Sequence, residues 1–151
     1  MELIKGWLQQ DYVSIWFGDV EDWLLEIRGR KDKYSFIHHF LLEDSQGKKP
    51  IGFAQYYDYS KVLEEFGETP QPVDTYGIDF MIGYKELIGQ GVGKQLVRLI
   101  SEKILEDHPN AVRIVADPSV DGNKINVASI KVLEANGFNF DSVSGFYILN
   151  L

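Results

Sequence analysis

The chain has 151 residues, 44% hydrophobic and 25% charged, with a net charge of −8 and no cysteine. Its length suits one domain, residues 1–151, with a sizeable core; the missing cysteines exclude disulfides and thiolate metal sites, and no apolar run approaches the ~18 residues of a membrane span. The acidic balance argues against nucleic acid, which needs a basic face, and suits cationic small partners, although acidity also serves solubility alone.

The opening Met1-Glu2-Leu3-Ile4-Lys5-Gly6 has no apolar signal core, so a cytoplasmic protein without a membrane partner is expected. Residues 2–12 read as a helix with Leu3, Ile4, Trp7 and Leu8 on one face. Asp19 suits the N-cap of a second helix reaching Arg30, with Trp23, Leu24 and Ile27 inward. Residues 34–43 read as a strand, on which His38 and His39 face opposite sides and make no metal pair. Asp44-Ser45-Gln46-Gly47 is turn chemistry, and residues 51–59 complete an antiparallel hairpin.

Residues 61–66 suit a short helix. Between Asp58 and Asp79 stand six acids, Asp58, Glu64, Glu65, Glu68, Asp74 and Asp79, against the single cation Lys61. Such a segment is either a solvated loop or a lure for cations. Residues 76–82 form a third strand. Residues 91–107 are the clearest helix, with Leu96, Val97, Ile100, Ile104 and Leu105 on one stripe, ended by His108-Pro109-Asn110. Residues 112–116 are a short apolar strand suited to a central position. Asp121-Gly122-Asn123 lacks the remaining ligands of a calcium loop and reads as a turn. A helix over 126–135 closes at Asn136-Gly137, and strands over 138–143 and 146–151 flank Ser144-Gly145.

The chemistry concentrates after the third strand. Gly77-Ile78-Asp79-Phe80-Met81-Ile82-Gly83 runs into Gly89-Gln90-Gly91-Val92-Gly93-Lys94, which opens the long helix. A glycine turn at a helix start presents free N–H groups and the positive end of the helix dipole to an anion. Glycine at 89, 91 and 93 removes side chains that would block close approach. A pyrophosphate, and hence a nucleotide-bearing cofactor, fits such a turn. The spacing matches neither the dinucleotide fingerprint nor the P-loop, and a plain helix start uses the same residues.

Gly77-Ile78-Asp79, the glycine turn, Asp117-Pro118-Ser119, Asn126 and Glu134-Ala135-Asn136-Gly137-Phe138 together resemble the GNAT acetyltransferases. Trp7-Leu8-Gln9-Gln10-Asp11-Tyr12-Val13 and Ile51-Gly52-Phe53-Ala54-Gln55-Tyr56 are similar to the aminoglycoside 6'-N-acetyltransferase branch. The resemblance covers nearly the whole chain from about residue 7. It implies an α/β GNAT fold: a mixed, mostly antiparallel sheet with helices on both faces. Acetyl-CoA is the implied donor and no metal is implied. The backbone of Phe80, Met81 and Ile82 would pair with the pantetheine arm. The N–H groups of Gly89, Gln90, Gly91, Val92, Gly93 and Lys94 would hold the pyrophosphate. Asn126 would stand beside the pantetheine or the departing thiol; it also suits a helix N-cap.

Asp79 and Asp117 end up among apolar neighbours, where a carboxylate is costly unless paired or wet. An amine must be neutral to attack a thioester, so a base is required. Asp79 reads as that base and Asp117 as the substrate anchor. A structural hydrogen bond at Asp79 and a strand-ending turn at Asp117-Pro118 are the simpler alternatives. Tyr57, Asp58 and Asp74 join these two aspartates in the expected acceptor site. Trp16, Phe17, Tyr56, Tyr57 and Tyr59 can floor an amine or sugar pocket, with at least half of them serving the core instead.

Three positions depart from the resembled family. Ile88 replaces an Arg or Gln at the pyrophosphate turn. Leu133 replaces the Tyr that often protonates the departing thiolate, leaving solvent, Tyr147 or Tyr84. The family's first strand has no counterpart, so one sheet edge is expected to be exposed or covered by a partner such as a second copy. The expected activity is acetyl transfer to a primary amine of a cationic molecule such as an aminoglycoside. Alternatives are an N-acyltransferase for a lysine-like or hydroxylamine siderophore precursor or a polyamine, and a non-catalytic acyl-CoA-binding module.

Overall fold

Gln10 divides the expected first helix in two. Its backbone is extended (φ −70°, ψ 140°), so α1 (Glu2–Leu8) ends before it and α2 (Asp11–Phe17) starts after it. The computed structural model, which describes residues 1–66, 69–120 and 124–151, shows why. The Gln10 side-chain amide donates to the Gly83 carbonyl at 2.8 Å, and the Tyr12 hydroxyl donates to the Ile82 carbonyl at 2.8 Å. Tertiary bonds at the end of a distant strand outweigh continued helix. Ile4, Trp7 and Leu8 are buried as expected, whereas Leu3 is exposed.

Asp19 caps α3 (Val20–Arg28), accepting from the N–H groups of Glu21 and Asp22 at 2.8 and 3.2 Å. The hairpin follows as β1 (Ile37–Glu43) and β2 (Pro50–Asp58), with Asp44 accepting from Gln46 and Gly47 in the turn. The first strand starts later than expected because Tyr34 N–H and Ile37 N–H close turns onto Gly29 and Tyr34. Then come α4 (Tyr59–Phe66), β3 (Thr75–Ile82), one 3-10 turn (Lys85–Leu87), α5 (Val92–Asp107) and β4 (Arg113–Ala116). A small hairpin that the sequence does not announce, β5 (Ser119–Val120) with β6 (Lys124–Ile125), precedes α6 (Val127–Ala135). The chain closes with β7 (Asn139–Phe140) and β8 (Tyr147–Asn150), both shorter than expected. The turn expected at Asp121-Gly122-Asn123 lies outside the described residues, as does Glu68.

The six-stranded sheet has the order β1-β2-β3-β4-β8-β7, antiparallel except for β3 beside β4. Strand alternation sends its residues to two cores. Ala54, Tyr56, Ile78, Ile114 and Ala116 meet Leu96, Val97, Ile100 and Ile104 of α5 and Leu133 of α6. On the other face, Phe53 and Met81 meet Ile4, Trp7 and Leu8 of α1, Val13 of α2 and Leu24 and Ile27 of α3. A third cluster joins Tyr59 of α4 to Val115, Phe146 and Ile148. This is the expected mixed sheet with helices on both faces, and β1 forms one edge of it.

Candidate active site

β3 and β4 separate in mid-sheet. They pair only where Thr75, Tyr76 and Gly77 lie beside Arg113, Ile114 and Val115. β3 then continues through residues 78–82 while β4 stops at Ala116. Asp74 offers its carbonyl to Val112 on the β4 side at 3.0 Å, and Gly83 donates its N–H to Ile51 on the β2 side at 2.8 Å. The β2–β3 register between them has no bulge. Backbone groups of Ile78, Phe80 and Ile82 therefore turn into the gap, and those of Met81 turn to β2. The Ile82 carbonyl is also met by Tyr12. Of the three residues expected along the pantetheine arm, Phe80 and Ile82 face the gap.

The glycine turn sits at the far end of this gap. Gly89 and Gly91 have φ of +80° and +81°, a left-handed backbone that favours glycine, and nothing stands where their side chains would be. Gly93 has a different reason: a Cβ there would lie 3.1 Å from Val132, so its absence lets α5 pack on α6. α5 starts at Gly91 with no side-chain cap, so the first N–H groups of a 16-residue helix face outward. The Gln90 N–H, by contrast, is spent on the Leu87 carbonyl at 3.2 Å.

The cleft at the separation holds about 70 Å³. Asp79, Asp117 and Asn126 all line it. Asp79 is half-buried on β3, and Asp117 is exposed just after β4. Asp79 lies on the face opposite α5, since Ile78 points to α5 and alternation turns the next residue away, and Asp117 follows Ala116, the last residue of β4, which points to α5. Asn126 caps α6, its side-chain oxygen accepting from Ser129 N–H at 3.1 Å. Trp16, Phe17 and Trp23 wall the cleft from α2 and α3; Ser129 and Leu133 wall it from α6. The Trp23 indole donates to the Phe17 carbonyl at 2.7 Å, and the two rings lie 4.9 Å apart, which holds this wall together. Among the described residues no Lys or Arg lines the cleft.

Asp79 does not stand alone. The Gln55 amide, across the β2–β3 pair, donates to it at 3.0 Å and to Glu26 of α3 at 3.2 Å. Gln55 is only 2% exposed. Sequence reading overlooked Gln55, Glu26 and Ser129, and expected Trp23 as core alone. One signal was available: Gln55 is a lone amide in the strand run Phe53-Ala54-Gln55-Tyr56.

Three expected acceptor residues lie outside the cleft lining. Asp58 accepts from Ser60 N–H and hydroxyl at 2.9 and 2.8 Å, at the start of α4. Asp74 adopts φ +64° in the turn before β3. Both lie beside Tyr76, whose hydroxyl is pushed up by burial and then by these two charges. Tyr57 shares the face of Asp79 but lies over Gly77, two residues back along β3. Tyr56 and Tyr59 are buried core. Leu133 is fully buried. Tyr147 packs on Phe140 and Tyr84 on Trp7, and neither lines the cleft. His38 and His39 stack on Tyr56 and Phe53 respectively, on opposite faces of β1.

A family model described as an acetyltransferase (GNAT) domain matches residues 1–144. The aminoglycoside N(6')-acetyltransferase type 1 of Klebsiella pneumoniae is 25% identical over 147 residues, which covers 91% of this chain and 68% of that protein. Among solved structures, AAC(6')-Ib in complex with paromomycin and acetyl-CoA superposes with a TM-score of 0.77 at 21% identity, over 99% of this chain and 86% of that one. The ribosomal-protein-S5-alanine acetyltransferase of Vibrio fischeri superposes with a TM-score of 0.60 at 20% identity, over 98% and 84% of the two chains. These superpositions show a shared fold.

Proposed function

We propose, because the chain belongs to the GNAT acetyltransferase family, that it transfers acetyl from acetyl-CoA to a primary amine of a cationic small molecule, with an aminoglycoside 6'-amine as the leading acceptor class. The observation that carries this reading is the convergence of Asp79, Asp117 and Asn126 on one cleft without a Lys or Arg in its described lining. The 25% identity to an aminoglycoside N(6')-acetyltransferase supports the acceptor class. A fold shared with a ribosomal-protein acetyltransferase is the reason the acceptor must be argued from the site.

The chain's own geometry fits coenzyme A. Left-handed Gly91 starts a helix without a side-chain cap, and the open space beside Gly89 and Gly91 lets an anion approach the backbone. Val92, Gly93 and Lys94 N–H groups would hold the diphosphate, and Phe80 and Ile82 would meet the pantetheine arm along the open side of β3. Bound acetyl-CoA supplies an activated thioester carbonyl.

The protein supplies placement and charge. Asp117 anchors the ammonium form of the acceptor, and Asp79 takes its proton, directly or through one water. A neutral amine is thereby held at the carbonyl carbon. N–H groups of β3 that face the gap are suited to the developing oxyanion. Leu133 has no acidic proton to give, so solvent returns one to the thiolate. The same proposal takes residues 1–151 as one domain, acting in the cytoplasm, with the outer edge of β1 available to a second copy.

The test is acetyl-CoA turnover with a panel containing an aminoglycoside, a polyamine, lysine and a hydroxylamine, with products weighed by mass spectrometry. N-acetylation of the aminoglycoside supports the reading. Turnover of the other amines alone moves the acceptor class. Binding of coenzyme A with no amine acetylated removes the catalytic reading.

A further inference from the structure

We propose that Gln55 and Glu26 are positioning residues for Asp79, Gln55 holding the carboxylate by one N–H and Glu26 fixing which end of the Gln55 amide faces it. This rests on the reading of Asp79 as the group that takes the acceptor's proton.

The Gln55 amide presents a donor end and an acceptor end of nearly equal shape. A flipped Gln55 would aim its oxygen at Asp79, and the carboxylate would lose this donor. Gln55 nitrogen stands 3.0 Å from Asp79 and 3.2 Å from Glu26. With carboxylates of two different elements at the same end of the amide, a flip places oxygen against both. Glu26 thus does for Gln55 what the buried acid of a hydrolytic triad does for its histidine.

A second observation points the same way. The Gln55 side-chain oxygen is buried and has no hydrogen-bond partner among the described residues. A buried orphan acceptor destabilises the fold. An apolar side chain at 55 avoids that cost, and the arrangement therefore serves the two carboxylates instead of the core. His39, the register partner of Gln55 on β1, does not compete. Its Nε2 is buried and has no hydrogen-bond partner among the described residues. Around the amide stand Glu26 from α3, His39 from β1 and Asp79 from β3, with Asp117 on the far wall of the cleft.

The experiment is a double-mutant cycle of Gln55→Met, which keeps the shape and removes the amide, and Glu26→Gln, read by steady-state kinetics with the best acceptor of the amine panel. Coenzyme A affinity by calorimetry reports the fold of each variant. Gln55→Met is expected to lower kcat about tenfold or more, with coenzyme A affinity unchanged. Its acid limb of kcat/KM moves to higher pH, because the ionised carboxylate has lost a donor. Glu26→Gln lowers kcat several-fold with the acceptor KM unchanged, and adds nothing to Gln55→Met, since Glu26 acts on Asp79 through the amide. Additive losses, or wild-type kcat in Gln55→Met, overturn the proposal. If Gln55→Met binds no coenzyme A, Glu26→Gln decides alone: a fall in kcat supports the proposal, and a raised acceptor KM at unchanged kcat overturns it. A wild-type protein that acetylates no amine removes the underlying reading, and this one with it.

Discussion

The indole of Trp7 lies directly against the α-carbon of Gly83, in the space a side chain would fill. α1 thereby docks on the end of β3, where Gln10 also bonds the Gly83 carbonyl at 2.8 Å. The docking sets the position of α2 and of the aromatic wall that α2 contributes to the cleft.

Gly83→Ala is expected to destabilise the protein by about 1–3 kcal/mol, because a Cβ must displace the buried ring. Urea denaturation measures it. An unchanged midpoint would show that α1 can slide without penalty.

Asp79→Asn keeps an acceptor oxygen for Gln55, so the fold and coenzyme A binding should survive. Amine acetylation should fall by about 10²–10⁴ in kcat, the usual worth of a general base. Rates near wild type would transfer the base role to solvent or Asp117.

Asn126 has two candidate duties, and two substitutions separate them. Asn126→Ala removes the bond from Ser129 N–H and should cost about 0.5–2 kcal/mol. Asn126→Asp restores that cap but carries no N–H₂ group. If the amide also donates to the pantetheine or thiol, Asn126→Asp recovers the melting temperature and leaves acetyl-CoA KM raised. Recovery of both parameters would reduce Asn126 to a cap.

His39 makes folding sensitive to mild acid. Its imidazole titrates at about 4 in the folded protein, against 6.5 in the unfolded chain, through burial first and Arg30 second. The unfolded chain binds the extra proton between these values, so stability is complete above 6.5 and declines as pH falls toward 4. Allowing for its partial exposure, the loss is about 2 kcal/mol at most. Urea midpoints taken from pH 6.5 to 5 should decline in the wild type and stay flatter in His39→Gln. Equal slopes would assign the decline to other groups.

Much of the architecture was legible because its signals are local. The α5 stripe of Leu96, Val97, Ile100 and Ile104, the Asp19 cap and the Asp44–Gly47 turn each depend on neighbours within one or two turns of chain. Leu105, placed on the same stripe, is exposed, since the buried arc of a single sheet-facing helix is narrower. The glycine turn was legible for the same local reason, although Gly93 serves helix packing and Gly89 and Gly91 serve backbone conformation.

At the site, Asp79, Asp117 and Asn126 could be picked out one by one as polar residues at element ends or in apolar surroundings. Asp58 and Asp74 carry the same chemistry, yet one starts α4 and the other turns the chain into β3. Nothing in their neighbourhoods distinguishes a loop acid from a cleft acid. That distinction depends on where β4 stops relative to β3, which is a property of the register.

Periodicity, caps and glycine punctuation thus sufficed to write down the main helices and strands and to single out the glycine turn, because those forces act within a few residues. Long-range packing alone settled the break at Gln10, the parting of β3 from β4, and the union of Glu26, Gln55 and Asp79. Each joins segments at least 24 residues apart in sequence, and a bond of that span exists only once the intervening chain has folded around a core.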